Sequence, residues 1–408
     1  MKKIQHVFLI GAKSLGVYGG YETFINKLTE YHQDDKRIQY YVACKANGEG
    51  AMNPFIMNDV SIVNDREFIY HGAYCFRIHI PEKLGSAQAI YYDCKALNEA
   101  INIIKEKKIK NPIVYILACR VGPFMKHYYK QIKKLGGKIY LNPDGHEWKR
   151  AKWSVPVRMY WKVSEQLMVK YSDLVICDSM NIEKYIHENY DGKGIKRKSP
   201  QTTFIAYGAE VRRSRLSDND PIFTEWLKSK ALKRGEYYLV VGRFIPENNY
   251  ETMIREFMKS GSKKKFAIVT NVNERFLEEL EAKLHFRKDK RICFVGTVYE
   301  EELLMKIREN AFAYFHGHEV GGTNPSLLEA LGTTKLNLLL NVCFNQEVAE
   351  DTALYWTKQE GDLAMLINDI EKMSGALIDE MGEKAKERIR TYYSWKYICN
   401  RYAEEFLK

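Results

Sequence analysis

The stretch that decides the fold is Glu319-Val320-Gly321-Gly322-Thr323-Asn324-Pro325-Ser326-Leu327-Leu328-Glu329-Ala330-Leu331. It follows a short apolar run at 313–316, which is typical of a buried strand, and it leads into a helical pattern at 326–331. Thr323 or Asn324 can cap this helix, and Pro325 suits its first turn. The stretch therefore predicts a strand, a glycine-rich loop and a helix in succession, which is the repeating unit of a parallel sheet covered by helices.

The same unit recurs along almost the whole chain, which predicts parallel sheets with helices on both faces. The apolar runs that we interpret as strands lie at 7–10, 40–43, 113–117, 138–141, 174–177, 203–205, 237–241, 265–270, 291–295, 313–316 and 335–340. Helical patterns lie at 21–32, 92–107, 250–259, 274–284, 300–310, 326–331 and 392–408. The alternation pauses in a polar stretch at 211–221, so the sequence predicts two doubly wound halves that join near residue 212.

The charge and cysteine content narrow the class of protein. Lys and Arg number 63 against 52 Asp and Glu, and this net charge of +11 suits an anionic partner or simply a basic surface without one. The 8 cysteines show no CxxC pair and no zinc-type spacing, so we expect reduced core residues. No apolar run reaches the roughly 18 residues that span a bilayer, and the first run resembles a core strand more than a signal peptide. We expect a soluble, intracellular protein.

Two nucleotide-binding motifs fail in this sequence. Gly11-Ala12-Lys13-Ser14-Leu15-Gly16 follows the first strand, but a GxGxxG motif needs glycine where Lys13 stands. A P-loop needs lysine and then serine or threonine after Gly16, where Val17 and Tyr18 stand. Asp218-Asn219-Asp220 matches the DxD motif of some sugar transferases, but it lies in the polar linker rather than at a strand end. We therefore expect no dinucleotide cofactor and no metal site.

Three elements are suited to an anionic ligand. Gly19-Gly20 precedes a helix and lets a ligand approach its N–H groups, although the pair also suits a flexible turn. Arg243 follows the strand at 237–241, at the sheet edge where ligands bind, and can hold diphosphate oxygens, although it can also be a surface arginine. The helix after Asn324 offers a second N-terminus, and Glu329 can accept hydrogen bonds from two sugar hydroxyls. Together these elements suit a nucleoside diphosphate.

At this point the chain resembles a known family over nearly its whole length. The two-domain pattern, Gly19-Gly20, Gly242-Arg243-Phe244-Ile245-Pro246-Glu247 and the run ending at Glu329 resemble glycosyltransferase family 4. Longer motifs resemble the bacterial rhamnosyltransferases of capsule and cell-wall polysaccharide assembly. These are Tyr18-Gly19-Gly20-Tyr21-Glu22-Thr23-Phe24, Asn142-Pro143-Asp144-Gly145-His146-Glu147-Trp148-Lys149-Arg150 and Gly321-Gly322-Thr323-Asn324-Pro325-Ser326-Leu327-Leu328-Glu329.

The resemblance implies the GT-B fold, an α/β architecture of two Rossmann-like doubly wound domains with a cleft between them. Residues 1–211 plus 392–408 would form the acceptor-binding domain, with the C-terminal helix packing back on it, and residues 212–391 would bind the nucleotide sugar. The resemblance further implies a retaining transferase that moves rhamnose from dTDP-rhamnose to a sugar carried on undecaprenyl diphosphate, without metal or other cofactor.

The same resemblance implies donor-binding and catalytic residues, with two departures from the family pattern. Asn248 stands where a lysine is usual, and Gly321 stands where the first of two paired glutamates is usual. The role of that glutamate is expected to fall to backbone groups or to a neighbour such as Glu319. We expect His146 to contact the donor sugar and Asp144 to orient the acceptor. The residues expected to bind the donor are Gly19, Gly20, Arg243, Asn248, Gly322, Thr323, Asn324, Ser326, Leu327 and Glu329.

The acceptor is expected near 148–162, a stretch with five basic residues, four aromatic residues and no acid. Its basic groups can hold an acceptor diphosphate while its aromatic side chains lie at membrane headgroups, so we expect a peripheral protein on the inner face of the cell membrane. The alternative is an amphipathic helix that packs its aromatic residues inward, and we expect no nucleic-acid partner. The residues expected to bind the acceptor are Glu22, Lys149, Arg150, Lys152 and Trp153.

Three other functions stay open from the sequence. The first is a transferase that uses another nucleotide sugar or another lipid-linked acceptor. The second is a noncatalytic GT-B protein that binds a nucleotide sugar or a partner enzyme, which the glycine at 321 makes conceivable. The third is a nucleotide-sugar epimerase with the same fold.

Overall fold

The chain divides into two compact units in a computed structural model that describes residues 4–17, 19–150, 153–192 and 199–408. Unit 1 comprises Met1–Tyr207 and Trp395–Lys408, and unit 2 comprises Gly208–Ser394. Unit 2 is therefore inserted between two separate parts of unit 1. The sequence-based division placed these transitions at 211/212 and 391/392.

Each unit is built on one sheet. The strands of unit 1 are β1 (Gln5–Ile10), β2 (Ile38–Lys45), β3 (Ser61–Asn64), β4 (Glu67–Tyr70), β5 (Ala73–Ile78), β6 (Ile113–Leu117), β7 (Lys138–Asn142), β8 (Leu174–Cys177) and β9 (Thr202–Phe204). Those of unit 2 are β10 (Tyr237–Val241), β11 (Lys265–Val269), β12 (Ile292–Gly296), β13 (Ala313–His316), β14 (Asn337–Leu340) and β15 (Leu354–Trp356). The strand orders are β3-β4-β5-β2-β1-β6-β7-β8-β9 and β12-β11-β10-β13-β14-β15.

Helices connect the strands. They are α1 (Gly20–Tyr31), α2 (Gln88–Glu106), α3 (Gly122–Lys134), α4 (Val155–Lys170), α5 (Met180–Tyr190), α6 (Pro221–Ser229), α7 (Tyr250–Lys259), α8 (Glu274–Leu284), α9 (Glu301–Glu309), α10 (Pro325–Thr333), α11 (Cys343–Ala349), α12 (Asp362–Ile370), α13 (Gly375–Arg388) and α14 (Trp395–Leu407). Within the described residues, none of these helices is both long enough and apolar enough to cross a membrane.

The predicted fold class is confirmed. The neighbouring strands of unit 2 pair in parallel, and in unit 1 the exceptions are the antiparallel pairs β3–β4 and β4–β5. Helix α14 belongs to unit 1, as expected, and its Tyr402 hydroxyl lies 3.1 Å from that of Tyr115 in β6. The hairpin of β3 and β4, the adjoining β5 and the short β15 were not predicted.

The core of unit 2 covers both faces of its sheet. Tyr238 and Val240 of β10 belong to one cluster of buried side chains, whereas Tyr237, Leu239 and Val241 belong to another. Alternate residues of a strand point to opposite faces, so β10 is covered on both sides.

The strand orders fix where a ligand can bind. In unit 2 the chain builds β11 and β12 on one side of β10, and β13 to β15 on the other side. In unit 1 the corresponding change of direction lies between β1 and β6. Open parallel sheets bind ligands at the carboxyl ends of the strands, at this switch point. The segments that follow β10 and β13 are therefore the first place to look in unit 2.

Candidate functional site

In unit 2 the ends of β10 and β13 are tied to the start of α10. The Ser326 hydroxyl donates to the backbone carbonyl of Val241 over 3.0 Å and lies 2.8 Å from the Tyr314 hydroxyl. Tyr314 also donates to the Val241 carbonyl, over 3.2 Å. Gly242-Arg243 follows this carbonyl directly, so the predicted arginine and the predicted helix start lie at one end of the sheet.

The turn after β10 is held by two asparagines. Asn248 is buried and its amide donates to the Arg243 carbonyl over 2.8 Å, while Asn249 donates to the Gly317 carbonyl over 2.8 Å. A Cβ at Gly317 would clash with the Asn248 carbonyl, so glycine permits this close approach. The Arg243 side chain itself is exposed. Asn248 thus orders the turn that carries Arg243 rather than adding a charge.

Glu319 follows β13 and forms an ion pair with a residue outside the sequence motif. Its carboxylate lies 2.5 Å from the Lys358 ammonium group and 3.5 Å from the amide of Asn249. A surface depression beside it is lined by Glu319, Gly321, Gly322, Asn324 and neighbouring residues. The expected catalytic Glu319 and donor-binding Gly322 are therefore brought together, with Lys358 as a further cation.

The N-terminus of α10 is capped by its own sequence. Asn324 is the cap, and its side-chain oxygen accepts from the backbone N–H groups of Ser326 and Leu327 over 2.9 and 3.4 Å. Thr323, the other predicted cap, is buried. A phosphate group would have to compete with Asn324 for these two N–H groups or bind the preceding glycine loop. The helix still directs its positive dipole end toward that loop.

Glu329 lies farther along α10 and is a third exposed. Its Oε2 atom lies 2.6 Å from Nη2 of Arg308, the next-to-last residue of α9. The Arg308 side chain is only 5% exposed, so a buried cation faces one side of the carboxylate that is expected to bind ribose. Sequence reasoning did not identify Arg308, because its partner lies on another helix.

In unit 1 the pair Gly19-Gly20 stands where α1 begins. Gly19 caps the helix, and a Cβ there would clash with the carboxylate of Glu22. Glu22 is buried and accepts from the backbone N–H of Lys13 over 2.8 Å. One oxygen of this expected acceptor-binding residue is thus used to fix the loop after β1. Gly19 and Gly20 lie in unit 1, apart in sequence and in domain from the other expected donor-binding residues.

Asp144 and His146 lie in the loop after β7, as expected from the sequence. Both adopt left-handed backbone angles, with φ of 59° and 51°, which are uncommon for residues other than glycine. Asn142 accepts from the Asp144 N–H over 2.9 Å, and Asp144 accepts from the Gly145 N–H over 2.8 Å. These bonds hold the strained loop in one conformation at the carboxyl end of the sheet.

The ring of His146 is buried against Tyr185, with ring centres 4.1 Å apart. Burial and the nearby ammonium groups of Lys149 and Lys162 lower the pKa of His146 to about 4. At neutral pH this histidine is therefore uncharged. It can accept or donate a hydrogen bond, but it cannot supply a positive charge.

A polar network surrounds Tyr185. Its hydroxyl accepts from Trp148 Nε1 over 3.0 Å and from Lys162 over 2.8 Å, and it donates to the buried carboxylate of Glu165 over 2.5 Å. Tyr190 donates to the same carboxylate. Lys162 thus has an extensive structural role, and it was expected from the sequence only as part of a basic stretch.

The expected acceptor-binding residues form two groups. The Lys149 ammonium group lies 5.4 Å from the centre of the Trp148 ring, which also faces Lys162 at 4.4 Å. Arg150 and Trp153 are joined by Glu147, which pairs with the guanidinium and accepts from Trp153 Nε1 over 2.9 Å. Lys152 lies outside the described residues.

The two aspartates of the DxD sequence at 218–220 form an ion pair and a helix cap. Asp218 pairs with Lys306 at 2.6 Å, and Asp220 caps α6 by accepting from the Ile222 N–H over 3.0 Å. Within the described parts of the chain, no group of three or more His, Cys, Asp or Glu side chains is placed to hold a metal ion.

Arg120 is a partly buried cation at the switch point of unit 1 that sequence reasoning missed. It follows β6, donates to the Gly11 carbonyl over 2.8 Å and pairs with Asp93 at 3.1 Å. The rule that singled out Arg243, a basic residue shortly after the end of an apolar strand, would have found it. Tyr21 lies close by, with its ring centre 6.0 Å from the guanidinium, and burial raises the pKa of its hydroxyl.

The fold matches solved structures over nearly the full chain. Sucrose-phosphate synthase from Thermosynechococcus elongatus matches with a TM-score of 0.69 at 17% identity, covering 98% of each chain. HepE from Anabaena, in complex with UDP and glucose, matches with a TM-score of 0.70 at 13% identity, covering 98% of this chain and 99% of that one. A glycosyltransferase from Rickettsia africae matches with a TM-score of 0.70 at 13% identity, covering 100% and 98%. These similarities show the GT-B fold of glycosyltransferases.

Sequence comparison identifies the family. No curated protein matches the chain. One family model matches residues 4–210, which include β1 to β9 and the loops that carry Gly19, Asp144 and His146. Because this match spans just over half of the 408 residues, the chain belongs to the family described as "Domain of unknown function (DUF1972)".

Proposed function

We propose that the protein is a retaining glycosyltransferase that moves L-rhamnose from dTDP-rhamnose to a sugar–diphospho-undecaprenol acceptor in cell-surface polysaccharide assembly. The observation that carries the proposal is the end of the sheet in unit 2, where Ser326 joins α10 to the strand that leads into Arg243. A cation, a helix N-terminus and a carboxylate at one switch point suit a nucleoside diphosphate.

The donor side of the reaction needs stabilisation of a leaving diphosphate. Arg243 is exposed at the end of β10, where its guanidinium can bind phosphate oxygens by charge-assisted hydrogen bonds. The dipole of α10 adds positive potential at the glycine loop. Both groups act on charge that grows as the bond to the sugar breaks, so they favour the transition state over the bound donor. In this proposal Glu329 binds the ribose.

The acceptor side is assigned to unit 1. Asp144 is partly exposed in a rigid loop and is proposed to orient the acceptor hydroxyl. His146 is uncharged at neutral pH and offers a neutral hydrogen bond beside it. Lys149, which is exposed beside Trp148, is proposed to bind the acceptor diphosphate together with Arg150.

A lipid-linked acceptor requires work at a bilayer, and we propose that the protein binds the inner membrane surface peripherally. Val155, Met159 and Val163 are 68%, 65% and 49% exposed and recur every four residues along α4. Arg158 and Lys162 lie between them in sequence, and no acidic residue precedes Glu165 in this helix. The aromatic residues of the stretch are partly buried, so the aliphatic side chains are the groups available for insertion.

Another nucleotide sugar is the main alternative donor. HepE, which shares the fold, has been solved in complex with UDP-glucose. A noncatalytic nucleotide-sugar-binding protein is the second alternative, because Gly321 stands where a carboxylate is expected.

One assay separates these functions. The protein is incubated with dTDP-rhamnose or UDP-glucose, with and without a lipid-diphosphate-linked sugar, and nucleotide release and sugar transfer are followed by chromatography. The proposal expects acceptor-dependent release of dTDP that continues in excess EDTA. Release from UDP-glucose alone would identify another donor, conversion to an isomeric nucleotide sugar would identify an epimerase, and binding without release would identify a noncatalytic protein. Activity lost to EDTA and restored by Mg²⁺ or Mn²⁺ would contradict the metal-independent mechanism.

A further inference from the structure

We propose that Arg308 is a positioning residue that holds the Glu329 carboxylate in the orientation in which it binds the ribose of the donor. The inference rests on the proposed function, because it assumes that Glu329 contacts the nucleotide. It assigns a role to a residue on α9 that has no part in the α10 sequence motif.

The first support is the isolation of the Arg308 charge. The residue is 4% exposed, and among the described residues Glu329 is the one acidic side chain within ion-pair distance of it. A buried guanidinium needs a compensating charge nearby, and the Glu329 carboxylate is the group placed to provide it. This arrangement removes the freedom that a glutamate on a helix surface normally has.

The second support is the geometry of the carboxylate. Oε2 of Glu329 is buried and lies 2.6 Å from Nη2 of Arg308 in an ion pair that lacks hydrogen-bond geometry, while a third of the side chain remains exposed. One oxygen is therefore taken up by the arginine, and the opposite oxygen is the one that a ligand can reach. A carboxylate oxygen held in a fixed position is a strong acceptor for a sugar hydroxyl.

The third support is that hydrogen bonds connect the backbone of α9, which carries Arg308, to that of α10, which carries Glu329. Thr334 donates to the Arg308 carbonyl over 3.2 Å, and Thr333 donates to the Glu329 carbonyl over 2.6 Å. The end of α9 and the end of α10 are thus joined beside the ion pair. Ser326, one turn before Glu329, is bonded to β10. The pair lies in a part of unit 2 whose backbone cannot shift easily.

The test compares two ligands that differ by one ribose hydroxyl. Dissociation constants of thymidine diphosphate and 3′-deoxythymidine diphosphate are measured by calorimetry, and their ratio is the preference for the hydroxyl. A hydrogen bond to a fixed carboxylate predicts a preference of about tenfold or more in the wild type. Arg308→Met is expected to lower the preference to about twofold, and Arg308→Lys to about threefold, because the shorter ammonium group holds the carboxylate less well.

The matched control is Arg388→Met. Arg388 is also largely buried in unit 2, pairs with Glu350 and donates to the backbone carbonyls of residues 347 and 348. This variant is expected to lower stability while it leaves the preference unchanged. A loss of stability alone therefore does not reproduce the expected result.

The outcomes are distinct. A wild-type preference in the folded Arg308 variants overturns the inference. If circular dichroism shows that the methionine variant is unfolded, the result for the lysine variant is used instead. Wild-type binding without a preference overturns the ribose contact and this inference but keeps nucleotide binding. A wild type that binds neither nucleotide, nor dTDP-rhamnose, contradicts the proposed function itself.

Discussion

The hydroxyl of Ser326 donates a hydrogen bond to the backbone carbonyl of Val241 over 3.0 Å. Val241 ends β10 and is followed by Gly242-Arg243, whereas Ser326 stands in the first turn of α10. A single side chain therefore links the strand that carries the cation to the helix that carries Glu329. The Tyr314 hydroxyl donates to the same carbonyl over 3.2 Å, so two hydroxyl groups bind the end of β10.

Replacing Ser326 by alanine should loosen this link. We expect Ser326→Ala to lower the free energy of unfolding by about 1 kcal/mol, because one partly buried hydrogen bond is lost while Tyr314 still satisfies the carbonyl. We also expect a higher KM for the nucleotide sugar with a smaller change in kcat. Urea unfolding and steady-state kinetics measure the two effects. Ser229→Ala, on the exposed end of α6, is the control and should change neither. Unchanged stability and KM in Ser326→Ala would contradict the link.

Arg243→Ala should affect the transition state of the proposed transfer. Loss of a cation at the leaving diphosphate is expected to raise the activation free energy by about 2–4 kcal/mol, which lowers kcat/KM about 30- to 1,000-fold. The measurement is dTDP release at limiting and saturating dTDP-rhamnose. Arg275→Ala is the control, because this arginine is 90% exposed on α8 and pairs only with Glu279 among the described residues. Near-normal turnover of Arg243→Ala at saturating donor would refute its role.

The buried state of His146 should make the stability of unit 1 depend on pH. The pKa of His146 is about 4 in the folded protein, against about 6.5 in an unfolded chain. Below pH 6.5 the unfolded chain takes up a proton that the folded protein does not, so stability falls until the pH reaches about 4. Between pH 7 and pH 5 this residue should cost about 2 kcal/mol of unfolding free energy.

Urea unfolding at the two pH values tests this prediction. His146→Gln removes the titrating ring and should lose about 2 kcal/mol less than the wild type on going from pH 7 to pH 5. His127→Gln, on the exposed face of α3, should keep the wild-type pH dependence. An equal loss in the wild type and in His146→Gln would mean that the ring is not held neutral.

The exposed stripe of α4 should govern binding to membranes. We expect the wild type to cosediment with vesicles that contain anionic lipid and to be released at 1 M salt, where the Debye length falls to about 3 Å. The combined variant Val155→Ser, Met159→Ser, Val163→Ser should bind at least about tenfold more weakly, because three apolar side chains no longer insert.

Met365→Ser is the matched control, since this methionine is 61% exposed on α12 of unit 2. It should leave vesicle binding unchanged. Lys162→Glu would not show the effect of charge on vesicle binding by itself, because Lys162 also donates a hydrogen bond to Tyr185 and faces three aromatic rings. A wild type that ignores anionic vesicles at low salt would contradict peripheral binding while leaving the transferase proposal in place.

The alternation of apolar runs and helical patterns was sufficient to predict both sheets, because buried parallel strands are continuous apolar runs. It missed β3 because Ser61, Ile62, Val63 and Asn64 are all exposed at the sheet edge. It also missed β15, a three-residue strand at the edge of its sheet, although it found β9, which has the same length. Edge strands depend on backbone pairing rather than on burial, so their sequences carry less of the pattern.

The candidate site was predictable where it follows a strand and hidden where it depends on distant partners. Arg243, Asp144 and Asn324 stand directly at strand or helix ends, where local rules apply. Arg308 and Lys358 meet their glutamates from other elements of the fold, and sequence spacing contains no information about such pairs. The same holds for Glu165, which receives two tyrosine hydroxyls from α5.

The insertion of unit 2 between two parts of unit 1 has a consequence for biosynthesis. Helix α14 supplies Tyr402 and Phe406, which pack against Phe24, Tyr40 and Tyr115 near the other end of the chain. On the ribosome, the N-terminal sheet therefore emerges first but cannot cover these aromatic side chains until residues 395–407 have been translated. Unit 2, whose strands are contiguous in sequence, can complete its own core before that. The domain that is synthesised first thus finishes folding last, and a ribosome that stops before residue 395 releases a chain with an open aromatic surface on unit 1.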